Sequence, residues 1–228
     1  MLKLYFHPSP NPLKVALFLE ETGLPYEVVP VDTRKGEQFS PEFLAINPNA
    51  KTPAIVDGDV AVFDSNAILL YLAEKTGQLT PKDAAARGEM FSWLMFVATG
   101  IGPYSGQAVH FSHYAPAGSE YAINRYSREI ERHYRVLDAR LASRAYILGD
   151  DYSVVDICAW GWVRVAPFVL GERGFDAYPN VKRWFDLVNA RPAVARAMAI
   201  KDRFTFKAEM DDAARSHMFP QNATLAAE

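Results

Sequence analysis

Two polar side chains, Ser9 and Asn11, lie where a short apolar strand runs into a helix. Three prolines surround them, Pro8, Pro10 and Pro12. Serine and asparagine are preferred at a helix N-cap, and proline is tolerated in the first turn because its missing N–H would be unpaired there. A helix N-terminus also stabilises an anion through its N–H groups and its dipole. The junction therefore fits an anion site, although a well-capped helix alone would explain it.

A second candidate lies at Lys51, Thr52 and Pro53, directly before an apolar strand. The entrance of a strand is a place where an X–Pro bond readily adopts the cis form. The residue before proline is also held extended. We expect the backbone of Thr52 to be open to pairing with an extended peptide.

A third candidate is Asp64-Ser65, which precedes a helix predicted over Ala67–Lys75. Asp57-Gly58-Asp59 predicts a hairpin turn between strands Ala54–Val56 and Val60–Phe63. The hairpin delivers the chain to Asp64, so Ser65 and the neighbouring N–H groups are predicted to form a second anion site.

Composition excludes several classes of protein. The chain has 228 residues, 50% of them hydrophobic, and a net charge of −3 with no basic patch for nucleic acid. Its single cysteine, Cys158, excludes an internal disulfide, and it lies in an apolar helix where we expect it to be buried and inert. His110 and His113 have the spacing of two metal ligands, but no third ligand is evident, so no metal is expected. No signal peptide or membrane span is evident, which favours the cytoplasm and no membrane partner.

The order of elements is strand, helix, strand, helix, strand, strand, helix, followed by helical periodicity. This order, with Thr52-Pro53 and Asp64-Ser65, resembles the glutathione transferases, whose cis-proline and Glu/Asp-Ser motifs these residues match. The resemblance implies an α/β thioredoxin-like N-terminal domain and an all-α C-terminal domain. We expect the thioredoxin-like domain at 1–76, a linker at 77–82, the helical domain at 83–214 and a loose polar tail at 215–228.

Within the helical half, residues 89–98 carry apolar side chains around much of the helix, which predicts a central helix. Gly100, Gly102 and Pro103 are expected to interrupt it. Ser153 and Asp156 form a Ser-x-x-Asp capping box, which we interpret as a folding element.

The turn at Ser9-Pro10-Asn11 is similar to the Thr/Ser-Pro-Asn turn of the bacterial Nu class and its fungal nitrogen-regulator-like relatives. The segments around Lys35–Phe39, Leu69–Gly77 and Gly102–Tyr126 are similar to the same class. Pro10 stands where cysteine-dependent classes carry their thiol. Tyr5 lies too early, inside the strand, for the tyrosine role of other classes.

Ser9, Asn11 and the helix end can donate hydrogen bonds to a glutathione sulfur, but none of them is a strong base. The expected chemistry is thiolate stabilisation and the orientation of a disulfide or an electrophile. The resemblance implies one or two glutathione molecules, or glutathione disulfide, as substrate and disulfide-bond reduction as the activity. Three functions stay open: this reductase, a conventional conjugating or ether-cleaving transferase, and a non-catalytic glutathione-binding regulatory protein.

The resemblance also assigns individual roles. Ser9 and Asn11 are the predicted catalytic residues. The predicted glutathione-binding residues are Gln38, Lys51, Thr52, Pro53, Asp64, Ser65 and Arg125. The predicted acceptor pocket is Tyr104, Gln107 and Phe111, with Phe204 and Phe206 beside it. A symmetric homodimer is expected through the helices around Glu89–Phe96 and Tyr126–Tyr134.

Overall fold

The computed structural model describes residues 1–171 and 174–222. The chain divides into two compact units: residues 1–68 with the chain from Ala195 onward, and residues 69–194. The expected domain boundaries, at 76 and at 214, do not coincide with this division. Its first break, after residue 68, falls inside a helix, and its last segment, from Ala195 onward, belongs with the N-terminal unit.

The N-terminal unit is built on a four-stranded mixed sheet of order β2-β1-β3-β4. β1 pairs with β2 in parallel and with β3 antiparallel, and β3 pairs antiparallel with β4. Along β1, Leu2, Leu4 and Phe6 are buried and Lys3 is exposed, as expected for a strand that covers a core with one face. The strands are β1 Leu2–Phe6, β2 Tyr26–Pro30, β3 Ala54–Asp57 and β4 Val60–Phe63.

The β3–β4 hairpin is confirmed, with β3 one residue longer than predicted. Asp57 pairs with Val60, which leaves Gly58 and Asp59 as the turn. Gly58 has a φ of 63°, a left-handed conformation that suits glycine.

Three helices begin within residues 1–68 of this unit, α1 Pro10–Thr22, α2 Pro41–Ile46 and α3 Ser65–Thr76. The predicted end of α1 is confirmed: Gly23 is left-handed and donates its N–H to the Leu19 carbonyl. α3 begins two residues before the predicted start, directly after Asp64.

The second unit is helical. Its helices after α3 are α4 Ala84–Phe96, α5 Gly102–His113, α6 Glu120–Leu141, α7 Val154–Val163, α8 Ala166–Leu170, α9 Pro179–Asn189 and the start of α10 Pro192–Ala199. Within the part of the chain that the structure describes, no helix has both the length and the hydropathy of a membrane span.

The predicted interruption after α4 is confirmed as a π-helical turn, Val97–Ile101. Gly100 is needed there, because a Cβ would lie 2.4 Å from Nε2 of His133. The prediction that residues 89–98 form the central helix is wrong: Phe91 is 39% exposed, and nine of the ten residues of α7 are buried instead. Apolar residues all around α4 indicated burial, but packing covers only part of its surface.

The capping box before α7 is confirmed. Asp156 accepts hydrogen bonds from the N–H and hydroxyl of Ser153, from the Ile147 N–H and from Nε1 of Trp184, at 2.8–2.9 Å. Asp156 is fully buried, so it ties three parts of the helical unit together. Cys158, two residues later, is buried as predicted.

After α10 the chain passes through a 3₁₀ turn, Ile200–Arg203, and then forms α11, Asp212–Met218. Asp211 caps α11 by accepting the Ala214 N–H at 2.8 Å. The expected loose tail therefore begins inside a capped helix, and its last part, residues 223–228, lies outside the described residues.

Candidate functional site

A cleft of about 240 Å³ lies in the N-terminal unit, where the starts of α1, β3 and α3 approach one another. It brings together six predicted site residues and two asparagines that were not predicted. Ser9 and Gln38 are not among the lining residues. The lining consists of Asn11, Asn47, Asn49, Lys51, Thr52, Pro53, Asp64 and Ser65.

The start of α1 differs from an ordinary helix N-terminus. Ser9 is the N-cap with extended backbone, but its hydroxyl makes no capping hydrogen bond. Its carbonyl accepts the Leu13 N–H at 3.3 Å. Because Pro10 and Pro12 have no N–H, Asn11 carries the one backbone N–H between Ser9 and Leu13. The hydrogen-bond donors at this helix start are therefore mainly the backbone N–H and the side-chain amide of Asn11.

The loop before β3 is shaped by Asn47. Its side chain is buried, donates Nδ2 to the Lys51 carbonyl at 2.6 Å and accepts the Asn49 N–H at 3.0 Å. Ala50 has a φ of 53°, uncommon for a residue with a Cβ. The Thr52–Pro53 bond is cis, as predicted. Asn47 thus closes the turn that presents Lys51 and Thr52 to the cleft.

The start of α3 is capped by Asp64, which has a φ of 69°. Its Oδ1 accepts the N–H groups of Asn66 at 2.8 Å and Ala67 at 3.2 Å. Fewer N–H groups than expected are therefore available to bind an anion at this helix N-terminus, since the Asp64 carboxylate already accepts two of them. Asp64 is exposed and Ser65 is buried, and both line the cleft.

Gln38 lies in a 3₁₀ turn, Glu37–Phe39, and its side chain is 3% exposed. Nε2 donates to the Thr33 carbonyl at 3.2 Å and to the His217 carbonyl at 2.9 Å. The structure thus gives its amide two protein partners, and the predicted contact of Gln38 with glutathione stays a prediction.

Arg125 lies on α6 in the helical unit and is half exposed. It donates to Glu129 at 2.8 Å, and Glu129 also accepts from Arg132 at 2.6 Å. Hydrogen bonds from Arg132 and Arg125 lower the pKa of Glu129 to about 2, so its carboxylate stays ionised at neutral pH. Whether Arg125 contacts glutathione stays a prediction.

The predicted acceptor residues Tyr104, Gln107 and Phe111 all lie on α5. Phe111 stacks on Tyr126 of α6 with ring centroids 5.4 Å apart, and Tyr104 lies 6.3 Å from the same ring. Gln107 is exposed. These contacts join α5 to α6, and the acceptor role of the three residues stays a prediction.

His7 precedes Ser9 in the same turn and was not predicted to matter. Its Nδ1 lies 3.2 Å from the Val31 carbonyl, and the Ser9 N–H donates to the His7 carbonyl at 2.7 Å. Burial lowers the pKa of His7, against the opposing effect of Asp32, so the neutral ring is favoured. A neutral ring that donates Nδ1–H to Val31 is fixed in one tautomer.

Asn47 and Asn49 are the cleft residues that the sequence interpretation missed. The run Asn47-Pro48-Asn49 is rich in turn formers and directly precedes Lys51. That signal could have identified a structured turn, although not its place in the cleft.

Chemically, the cleft suits a small peptide that carries both a negative and a positive group. Lys51 supplies a positive charge and Asp64 a negative one, and Thr52 offers backbone groups beside a cis bond. Asn11 adds N–H donors that can stabilise a thiolate. Among the described residues, no group of three or more His, Cys, Asp and Glu side chains could hold a metal ion.

Two family models match this chain. The N-terminal domain of glutathione S-transferases matches residues 1–74, and the C-terminal domain of the same family matches residues 95–192.

Among curated proteins, the chain is similar to disulfide-bond oxidoreductase YfcG of Escherichia coli, at 44% identity over 205 residues. The match covers 87% of this chain and 94% of that protein.

Two solved structures are similar. A glutathione transferase from Burkholderia graminis, with two glutathione molecules bound per subunit, has 43% identity and a TM-score of 0.82 over 89% of each chain. A glutathione transferase from Pseudomonas putida, with one glutathione disulfide bound per subunit, has 39% identity and a TM-score of 0.83. That match covers 88% of this chain and 91% of the other.

Proposed function

The chain belongs to the glutathione S-transferase family, and we propose that it is a glutathione-dependent disulfide-bond reductase of the Nu type. The observation that carries the proposal is a cleft with thiolate-stabilising donors and no cysteine in its lining. Cys158 is buried in α7 of the other unit. A thiolate in the cleft must therefore come from the substrate, and glutathione supplies one.

The similar proteins support the same choice. One is named a disulfide-bond oxidoreductase, and the solved structures hold two glutathione molecules or one glutathione disulfide. We propose that this chain also takes glutathione, as two molecules or as its disulfide, and needs no metal.

The reaction is two thiol–disulfide exchanges. A glutathione thiolate attacks one sulfur of the substrate disulfide, forming a mixed disulfide and releasing the other half as a thiolate. A second glutathione thiolate attacks the glutathione sulfur of the mixed disulfide, which yields glutathione disulfide and the second substrate thiolate. Two electrons pass from two glutathiones to the substrate disulfide, and solvent protonates the released thiolates.

In this scheme Asn11 donates to the attacking sulfur, and Ser9 contributes from the N-cap. Lys51 pairs with the glycyl carboxylate, and Thr52 beside Pro53 pairs with the cysteinyl backbone. Asp64 and Ser65 hold the γ-glutamyl end. Gln38 and Arg125 are further predicted contacts, and Tyr104, Gln107 and Phe111 are the predicted acceptor wall.

The test is reduction of 2-hydroxyethyl disulfide by glutathione beside conjugation of 1-chloro-2,4-dinitrobenzene by the same preparation. We expect disulfide turnover to exceed conjugation. The reverse ranking would establish a conventional transferase, and glutathione binding without either turnover would establish a binding protein.

Two variants locate the thiolate donor. We expect Asn11→Ala to lower disulfide turnover by about 10²-fold, the cost of removing one donor to a developing anion. Ser9→Ala should cost less, because Ser9 is not among the residues that line the cleft. An equal or larger loss for Ser9→Ala, with both variants folded, would contradict the role given to Asn11.

We also propose a homodimer and a reducing compartment such as the cytoplasm, where reduced glutathione is supplied. Phe91 and Met95, one turn apart on α4, are 39% and 45% exposed and offer an apolar contact within the predicted interface. Light scattering tests the dimer: a mass of one chain at micromolar concentration would contradict it.

A further inference from the structure

The segment Phe204–Met218, named here the strap, packs on the N-terminal unit to which it belongs. The Lys207 N–H donates to Oδ2 of Asp32 at 2.7 Å. The Arg34 guanidinium donates to the carbonyls of Lys207, at 3.1 Å, and Ala208. Asp32 is 3% exposed, so one end of the strap is held through its backbone by a buried carboxylate and an arginine.

The other end of the strap is held at His217. Its carbonyl accepts from Gln38, and its Nδ1 lies 3.0 Å from the Arg34 carbonyl. The His217 ring lies so close to Gly36 that a Cβ there would be 3.0 Å from Cδ2. The loop from Asp32 to Gln38 is therefore shaped around both ends of the strap.

Between these ends, Phe206 reaches the first strand and the turn after it. Its ring lies 6.5 Å from that of Phe6 and 5.2 Å from that of His7, edge-on in both cases. Phe6 ends β1, and His7 begins the turn that carries Ser9 and Asn11. His7 also joins this turn to Val31, the residue that precedes Asp32.

We propose that the strap is a positioning element for the thiolate-stabilising turn, and that Phe206 and His7 are the positioning residues through which it acts. This inference rests on the proposed function. The turn needs such support, because Ser9 makes no side-chain cap and two prolines remove N–H groups from the first turn of α1. Phe206 fixes the ring of His7, and the His7 carbonyl holds the Ser9 N–H.

The residues proposed to hold the peptide of glutathione lie elsewhere in the unit. Lys51 and Thr52 precede β3, and Asp64 and Ser65 begin α3. None of the hydrogen bonds or ring contacts described for the strap involves these four residues. Loosening the strap should therefore disturb the thiolate more than the affinity for glutathione.

The experiment compares Phe206→Ala with the control Phe39→Ala, which removes an exposed phenylalanine from the same unit. Three quantities are measured: Kd for glutathione by calorimetry, the pKa of the bound thiol by thiolate absorbance, and kcat for disulfide reduction. For Phe206→Ala we expect kcat to fall about tenfold, the thiol pKa to rise by about one unit and Kd to stay unchanged. Phe39→Ala should match the wild type in all three.

An unchanged thiol pKa in folded Phe206→Ala would overturn the inference, whether or not Kd rises, since a merely structural role would weaken binding without altering the thiol. If Phe206→Ala does not fold, Phe206→Leu provides the same test because it keeps most of the apolar volume. The full-length variant His217→Ala removes the ring contact with the Arg34 carbonyl while keeping Phe206, and it should show a smaller shift in the same direction.

The two proposals fail in different ways. Wild-type protein that binds glutathione without turnover overturns the reductase proposal, while the thiol pKa still tests the strap. Wild-type protein that does not bind glutathione overturns both.

Discussion

Two helices of this molecule begin at an aspartate–serine pair, and the pairs differ in use. At the start of α7, Asp156 is fully buried and accepts four hydrogen bonds from three parts of the helical unit. At the start of α3, Asp64 is exposed and accepts only local N–H groups among its described hydrogen bonds. A helix-capping carboxylate thus stabilises the fold where it is buried, and lines a cleft where it is exposed.

The largest expected effect tests the buried pair. Asp156→Ala leaves four donors without their acceptor in the core, so we expect the free energy of unfolding to fall by about 3 to 5 kcal/mol in urea titration. Asp151→Ala, which removes an exposed acid close by, is the matched control and should change little. A loss for Asp156→Ala as small as that of the control would mean that α7 does not depend on its capping box.

Several local features of both units could be predicted from the sequence. The capping box at Ser153, the cis bond at Pro53, the hairpin at Gly58 and the end of α1 at Gly23 depend on neighbours within a few residues. Local rules of capping and turn geometry are sufficient for such features.

The features that were missed depend on distant partners. The strap contacts join residues more than 170 positions apart, and no local pattern in the C-terminal segment indicates them. The burial of Gln38 follows from the same contacts. Likewise, the exposure of Phe91 is decided by what packs beside α4, which periodicity within one helix does not contain.

The second prediction concerns the turn that supplies one wall of the cleft. Asn47→Ala removes the donor to the Lys51 carbonyl and the acceptor of the Asn49 N–H. Because Asn47 is buried, we expect a loss of about 1 to 3 kcal/mol in the free energy of unfolding and weaker glutathione binding. Asn49→Ala, which removes an exposed side chain from the same turn, is the control for stability. Unchanged stability in Asn47→Ala would show that the turn is held by other contacts.

The third prediction separates the two uses of Asp64. Asp64→Asn keeps an acceptor for the α3 cap and tolerates a positive φ, but it removes the charge. We expect stability close to wild type and a Kd for glutathione about tenfold higher, whereas Asp64→Ala should also lose about 1 kcal/mol of stability. Asp59→Asn, in the exposed hairpin turn, controls for the change in net charge. Wild-type affinity in Asp64→Asn would contradict a charge-dependent role in the cleft.

The smallest expected effect concerns pH and His7. Burial lowers the pKa of His7 below its ordinary 6.5, with Asp32 and Glu37 opposing that shift and Arg34 adding to it. The folded state therefore resists protonation, so the stability that this neutral ring contributes is complete above pH 6.5 and decreases as the pH falls below it.

His7→Gln keeps a side-chain donor for the Val31 carbonyl and does not titrate. We expect its free energy of unfolding to fall less than that of the wild type when the pH is lowered through this range. The matched control is His113→Gln, which replaces an exposed histidine on α5 of the other unit. Parallel pH profiles for His7→Gln and the wild type would mean that the His7 ring accepts a proton without loosening its contacts with Val31 and Phe206. The turn would then be held by its backbone alone, whereas the start of α3 is held by the Asp64 side chain.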